Sequence, residues 1–284
     1  ERLWSHGQGE ALVQGNMNAE EALAFIDAID QELPFKTDPD EVVPPYLYAL
    51  PLPIVKQGDE PTRIQVSEPN KSNQNSASQV MFQCLGKTEK DHVLIELLNA
   101  IIEEPFYEDL RTKQQLGYIV SSGLKAVGES RNLSFIVQSS VAPAEKLTEA
   151  ILQFLGTLRG TYLEPLTEED VAINAKSLFI RKTTPDKTLV TETTKNWSEI
   201  ATGRLQFDRI QREGAALIDV RKKDLLDFWD KYFVYERRVI VSETIPSSGV
   251  ASSKAPPKST GYASARSKSS KNLALGVDDI NEFR

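Results

Sequence analysis

The sequence predicts an α+β fold: a mixed or antiparallel sheet with helices packed on one face, preceded by the end of another domain. Three observations predict it. Alternating apolar and polar runs cluster in the middle of the chain, runs with apolar residues three and four apart dominate after residue 140, and a closing strand near residue 240 returns to the sheet. Prolines at 34, 39, 44, 45, 51, 53 and 61 separate this body from what precedes it. Each fixes its φ and lacks an N–H, so the stretch 36–61 reads as an extended linker.

Taken in order, Ala11-Leu-Val-Gln14 reads as a short strand running into Gly15-Asn16, and a helix is expected from about Ala19 to Leu33. Asn18 and Glu21 have the spacing of a capping box, and Leu23, Phe25, Ile26, Ile29 and Leu33 form an apolar stripe. Residues 1–35 would be part of a domain missing most of its sheet, with an exposed apolar face and a tendency to self-associate, in the simplest case as a dimer. Beyond the linker, Arg63–Ser67 and Ala77–Leu85 read as strands, and the polar loop 70–76 makes them a candidate hairpin. A helix from about Asp91 to Glu104 carries Val93, Leu94, Leu97, Leu98 and Ile101. Strands follow at 118–126 and 133–139, where Leu133, Phe135 and Val137 share a face.

The remainder is mostly helical, over about 144–158, from Thr167, over 187–202, 208–216 and 222–233. Glu168, Glu169 and Asp170 suit the positive N-terminal end of the helix at Thr167. Arg238–Ser242 closes the sheet, so 62–245 is expected to form the C-terminal domain. Residues 246–272 are rich in Ser, Lys, Ala, Pro and Gly, too polar to offset a chain-ordering cost of ~1–2 kcal/mol per residue, and are expected to be disordered. Residues 273–284 regain apolar content.

Composition bounds function. With 284 residues, 40% hydrophobic and 26% charged, the chain has an ordinary globular make-up. No apolar run approaches the ~20 residues of a membrane span. Glu1-Arg-Leu-Trp4 is no signal peptide and reads as the start of an excised fragment. The formal charge of −8 divides into +5 for 244–277 and −13 for the rest. Such an acidic body argues against nucleic-acid binding and suits cationic partners, including basic peptides. The single cysteine, Cys84, excludes an intrachain disulfide and fits a reducing compartment, so a cytoplasmic location is expected, with an organellar one left open. Its apolar surroundings predict a buried thiol.

Metal and nucleophile chemistry find little support. The histidines are His6 and His92. His92, with Glu89 and Glu96 nearby on one helix, reads as a surface histidine paired with a carboxylate. One cysteine and two distant histidines assemble no usual zinc constellation. Arg111 and Tyr118 stand out instead. They flank one helix-to-strand corner in Phe106-Tyr-Glu-Asp-Leu-Arg-Thr-Lys-Gln-Gln-Leu-Gly-Tyr-Ile-Val120, with Gly117 expected to let the backbone turn sharply. A peptide carbonyl under attack by water develops negative charge, and fixed donors aimed at its oxygen stabilise that state. The plainer reading makes Arg111 a helix-end cation paired with a neighbour such as Glu108.

Leu110-Arg-Thr-Lys-Gln-Gln-Leu-Gly-Tyr-Ile-Val120 resembles, almost residue for residue, the Leu-Arg-Thr-x-x-Gln-Leu-Gly-Tyr-x-Val motif of the insulin-degrading-enzyme (insulysin) family of inverted-motif zinc peptidases. Further segments agree in order: Leu12-Val-Gln-Gly-Asn16, Glu104-Pro-Phe-Tyr107, Phe135-Ile-Val-Gln-Ser139, Lys195-Asn-Trp-Ser-Glu-Ile200, Phe207-Asp-Arg209 and Asp279-Ile-Asn-Glu-Phe-Arg284. The resemblance implies two clamshell halves around a closed chamber, with zinc, its ligands and the general base in the first domain. No His-x-x-Glu-His run occurs in these residues, so the chain would hold no metal and be inactive alone. It would be a pitrilysin-like, non-catalytic domain that completes the chamber around peptide substrates and partners an N-terminal catalytic half. Arg111 and Tyr118 fall on the positions that reach substrate at the zinc centre, and Gln138 and Ser139 are secondary candidates for lining the chamber.

Two other readings stay open. A related fold could serve as a peptide-binding or subunit-assembly module without catalysis, although such a module has no need of both donors. A scaffold using the five cations of 246–272 to hold acidic surfaces rests on less.

Overall fold

The run Ser76-Ala-Ser-Gln-Val-Met-Phe-Gln-Cys84 buries every second side chain as far as Phe82, and it forms a central strand of the sheet. A computed structural model describes residues 9–33, 54–127, 130–247 and 274–275. Its strands are β1 (Thr62–Ser67), β2 (Ser76–Cys84), β3 (Ile119–Val127), β4 (Ser130–Ser139), β5 (Val239–Ile245) and a two-residue β6 (Ala274–Leu275). They form one mixed sheet in the order β3-β4-β2-β5-β1-β6. β2 pairs antiparallel with β4 and β5, and β3 pairs antiparallel with β4. β1 runs parallel to β5 and to β6.

The helices are α1 (Ala19–Glu32), α2 (Glu89–Tyr107), α3 (Ala144–Leu158), α4 (Glu168–Thr183), α5 (Leu189–Ala201), α6 (Arg209–Ala216) and α7 (Lys222–Trp229). α2 starts at a reciprocal cap, in which the Asp91 amide donates to Thr88 Oγ1 and the Thr88 hydroxyl and amide donate to Asp91. Thr167 and Asp170 repeat the device at α4. Three helices, α2, α3 and α7, run on into a wider π-helical turn, at 108–113, 159–163 and 230–235.

One face of the sheet carries Val80, Phe82, Leu133, Phe135, Val137, Val239 and Val241, all buried. Against it α2 and α3 supply Leu97, Leu98, Ile102, Leu147, Ile151 and Phe154. Phe106 meets Phe135 and Phe154 edge-on, with centroids 5.1 and 5.4 Å away. Burying such side chains is worth ~1.5–3 kcal/mol each. Glu243 is a carboxylate on this buried face. It accepts from Thr148 Oγ1 at 2.6 Å and from Arg63 at 3.1 Å, partners that offset its removal from water. The opposite face presents Gln79, Met81, Ile136, Gln138 and Ser242, all half-buried.

The described residues divide into two compact units. One contains 9–33 and 182–211, the other 54–127, 130–181 and 212–247. In the first unit Asn196 donates to Gln14 at 3.0 Å, and Leu189 lies against Gly15. The Asn18–Glu21 capping box is formed in both directions at 2.9 Å. Leu23 and Phe25 of α1 are 66% and 53% exposed, and no residue of that helix is buried.

Two strand expectations need correction. Residues 11–14 form no strand, having no neighbouring strand among the described residues to pair with. β1 and β2 are not a hairpin either, because β5 lies between them and takes hydrogen bonds from both. The loop 70–75 is a chain of Asn side chains bonded to backbone amides two residues on; it reverses the chain and carries it past the position that β5 fills. The linker residues 34–53, the stretch 246–272 apart from Pro246 and Ser247, and the tail beyond Leu275 lie outside the described residues. No described helix is long and apolar enough to cross a membrane.

Candidate functional site

The corner from α2 into β3 is built from several unusual local choices. Pro105, inside α2, has no N–H to offer the carbonyl four residues back, and three residues later the helix opens into the turn 108–113. Its wide winding is closed by Gln114 N–H to the Asp109 carbonyl at 2.9 Å and by Leu116 N–H to the Leu110 carbonyl at 3.0 Å. Gln115 then takes a left-handed φ of 51° and reverses the chain. Gly117 does not make the turn, contrary to the sequence expectation. A Cβ there would lie 1.9 Å from the Gln138 carbonyl oxygen, so glycine is required by close approach of β4.

This corner brings Arg111 and Tyr118 together. The guanidinium carbon lies 5.4 Å from the centroid of the Tyr118 ring. A cation over an exposed aromatic face is worth ~0.5–1 kcal/mol, enough to bias the guanidinium toward the phenol. Tyr118 is 85% exposed and Arg111 half-buried, so a stem held by the protein presents two donors to solvent. Glu108, the partner expected for Arg111, is engaged by Lys113 at 3.2 Å, and its hydrogen bond raises the lysine's pKa. Chemically, a guanidinium and a phenol side by side can donate to one oxygen that gains negative charge.

The secondary candidates separate. Gln138 pairs with Ile119 across β3 and β4 and lies half-buried on the open face of the sheet. Ser139 is 2% exposed, and its Oγ accepts from the amides of Val141 and Ala142 at 3.0 and 2.9 Å. It shapes the turn before α3 and lines no open surface.

His92 pairs with a carboxylate, but not one on its own helix. Its Nδ1 is 3.4 Å from Oε1 of the buried Glu213, whereas Glu96 is held by Arg131, which also reaches Glu213 at 2.7 Å. Cys84 is buried, and desolvation together with the nearby Asp91 charge pushes its thiol pKa well up. No group of three or more His, Cys, Asp or Glu side chains among the described residues could hold a metal ion.

Two motif segments prove to be one structural lock. Glu199, nearly buried, is 2.7 Å from Arg209 and 3.0 Å from Arg204, which joins Trp197-Ser-Glu-Ile200 to Phe207-Asp-Arg209. Sequence reasoning also missed a groove of about 300 Å³ between α2 and β3, lined by Ala100, Glu103, Glu104, Tyr107, Val120 and Ser121. Its only trace in the sequence is the helical spacing of the four α2 residues, which includes two adjacent acids.

Comparison with known proteins finds similar chains. Residues 97–197 match the family model described as PQQ synthase PqqF-like, C-terminal lobe domain 4. Human insulin-degrading enzyme is 30% identical over 222 residues, covering 78% of this chain and 21% of that protein. Human nardilysin is 31% identical over 222 residues, covering 78% of this chain and 19% of that protein. The chain thus spans about a fifth of the length of the curated relatives it matches. The crystal structure of pitrilysin superimposes with a TM-score of 0.69 at 22% identity, over 86% of this chain and 25% of that one. The fold is therefore that of a pitrilysin-type peptidase domain.

Proposed function

We propose, for a chain homologous to the insulin-degrading enzymes and nardilysins, that it is the part of a zinc metalloendopeptidase that orients the scissile peptide without binding the metal. The described residues do not fit a zinc ion, so the metal and its chemistry would come from an N-terminal half, and none of the steps assigned here passes through it. The contribution of this chain is positional and electrostatic. As water adds to the scissile carbonyl, negative charge gathers on its oxygen. Arg111 and Tyr118 donate to that oxygen and stabilise the charged state more than the neutral ground state. The exposed phenol and the half-buried guanidinium need little reorganisation, because the ring already sits under the cation.

The observation that carries this reading is the pairing of Arg111 with Tyr118 at 5.4 Å, inside the stretch matched by the C-terminal-lobe model. The test mixes this chain with an N-terminal half bearing an intact His-x-x-Glu-His site and follows cleavage of a quenched fluorescent peptide. Cleavage is expected only in the mixture. Arg111→Ala and Tyr118→Phe should each lower kcat by roughly 10²–10³ at unchanged folding. Variants that cleave like the parent would make both residues structural and favour a non-catalytic binding module of the same fold.

A further inference from the structure

β3 ends the sheet. It pairs with β4 on one side, and no strand among the described residues pairs with its other side. A free strand edge carries a row of amide and carbonyl groups able to accept another extended chain. Ile119, Ser121, Lys125 and Val127 along it are exposed. Beside this edge lies the groove between α2 and β3, where Glu103 and Glu104 are exposed and carry no ion pair among the described residues. Tyr107, on the same helix face, is 48% exposed and adds an aromatic surface.

We propose that the outer edge of β3 is a docking site for an extended, arginine-containing peptide. The peptide adds as a further strand, and its backbone takes up the free amides and carbonyls of β3. Side chains of an added strand alternate, so every second one points to the α2 side. An arginine there meets the carboxylates of Glu103 and Glu104 and can stack on Tyr107, which a lysine does less well. The charge is complementary both locally and over a body whose formal charge outside 244–277 is −13. This site goes beyond the orientation of a scissile bond: it is formed by residues of α2 and β3 and makes no use of Arg111.

The test uses the 284-residue chain and a fluorescein-labelled nonapeptide of alternating threonine and arginine, read by anisotropy. Two further peptides carry N-methyl groups on all threonine or on all arginine backbone nitrogens, which leaves the charge unchanged. In the added-strand geometry only one of these two sets of amides faces β3. One isomer should therefore lose about tenfold or more in affinity while the other stays close to the parent peptide. The double variant Glu103→Gln/Glu104→Gln, folded by circular dichroism, should also weaken the parent peptide about tenfold. Equal behaviour of the two isomers, unchanged binding by the double variant, or no binding of the parent peptide overturns the proposal.

Discussion

Replacing Gly117 by alanine tests how the corner is held. The added Cβ would stand 1.9 Å from the Gln138 carbonyl oxygen, 2.8 Å from its carbonyl carbon and 3.2 Å from the Ser139 Cα. These are backbone atoms of β4, so no side chain can swing aside. Restoring even a 3.0 Å separation moves the start of β3 away from β4 by at least about 1.1 Å. Overpacking of this kind costs roughly 1–3 kcal/mol, and each ladder hydrogen bond stretched near the Ile119–Gln138 pair adds about 1 kcal/mol. A total of about 3 kcal/mol corresponds to a fall in Tm of roughly 6–12 °C for a unit of this size. Gly123→Ala is the internal control, because nothing lies within 4 Å of its Cβ and the substitution only restricts the unfolded chain. Thermal melts followed by circular dichroism should therefore separate the two variants widely, Gly123→Ala melting at or above the parent. If they melt within about 2 °C of one another, the close-approach argument is wrong.

Other outcomes follow from the same contacts. Gln115→Gly relieves a left-handed residue with φ of 51° and should be neutral or stabilising by up to about 1 kcal/mol in a denaturant titration, whereas Gln115→Val should destabilise. For Glu199, burial raises the carboxyl pKa, but hydrogen bonds from Arg204 and Arg209 outweigh it and hold the carboxyl below its ordinary value. Its folded pKa is thus lower than its unfolded value of ~4.3, so its stabilisation is present above that pH and drains away as pH falls below it. Glu199→Gln should cost about 3 kcal/mol at neutral pH, read as faster amide exchange in 182–211, and should flatten that acid dependence. Cys84 should react with a thiol reagent at least roughly 10³-fold more slowly in the native chain than in the unfolded one, because reaction waits on opening.

Much of this was legible because local chemistry decides it. The Asn18–Glu21 box, the limits of α3 and the shared face of Leu133, Phe135 and Val137 depend on residues a few positions apart. Neighbour order in the sheet does not. Nothing near 62–84 announces that a strand at 239–245 will part β1 from β2, since an alternating pattern gives faces and not partners. The same limit hid Glu213 as the partner of His92, 121 positions downstream, and Arg131 as the partner of Glu96. At the corner, residue types alone left Arg111 readable as a helix-end cation, and it was the resemblance of Leu110–Val120 to the insulysin motif that singled out Arg111 and Tyr118. The reason for Gly117 lay in β4, where no local reading reaches.

The position of β5 also governs the order in which this chain can fold during synthesis. β1 leaves the ribosome more than 170 residues before the strand it lies against in parallel, and β2 waits about 160 residues for one of its two neighbours. Until residue 245 is made, β2, β3 and β4 can assemble as a three-stranded sheet, but β1 has no described long strand to join and β2 presents a bare inner edge. The nascent domain therefore passes through a long window in which the inner edge of β2, covered by β5 in the finished fold, stands open, a setting that favours mispairing and chaperone capture. A stop codon shortly before residue 239 would remove less than a fifth of the chain yet leave the sheet divided.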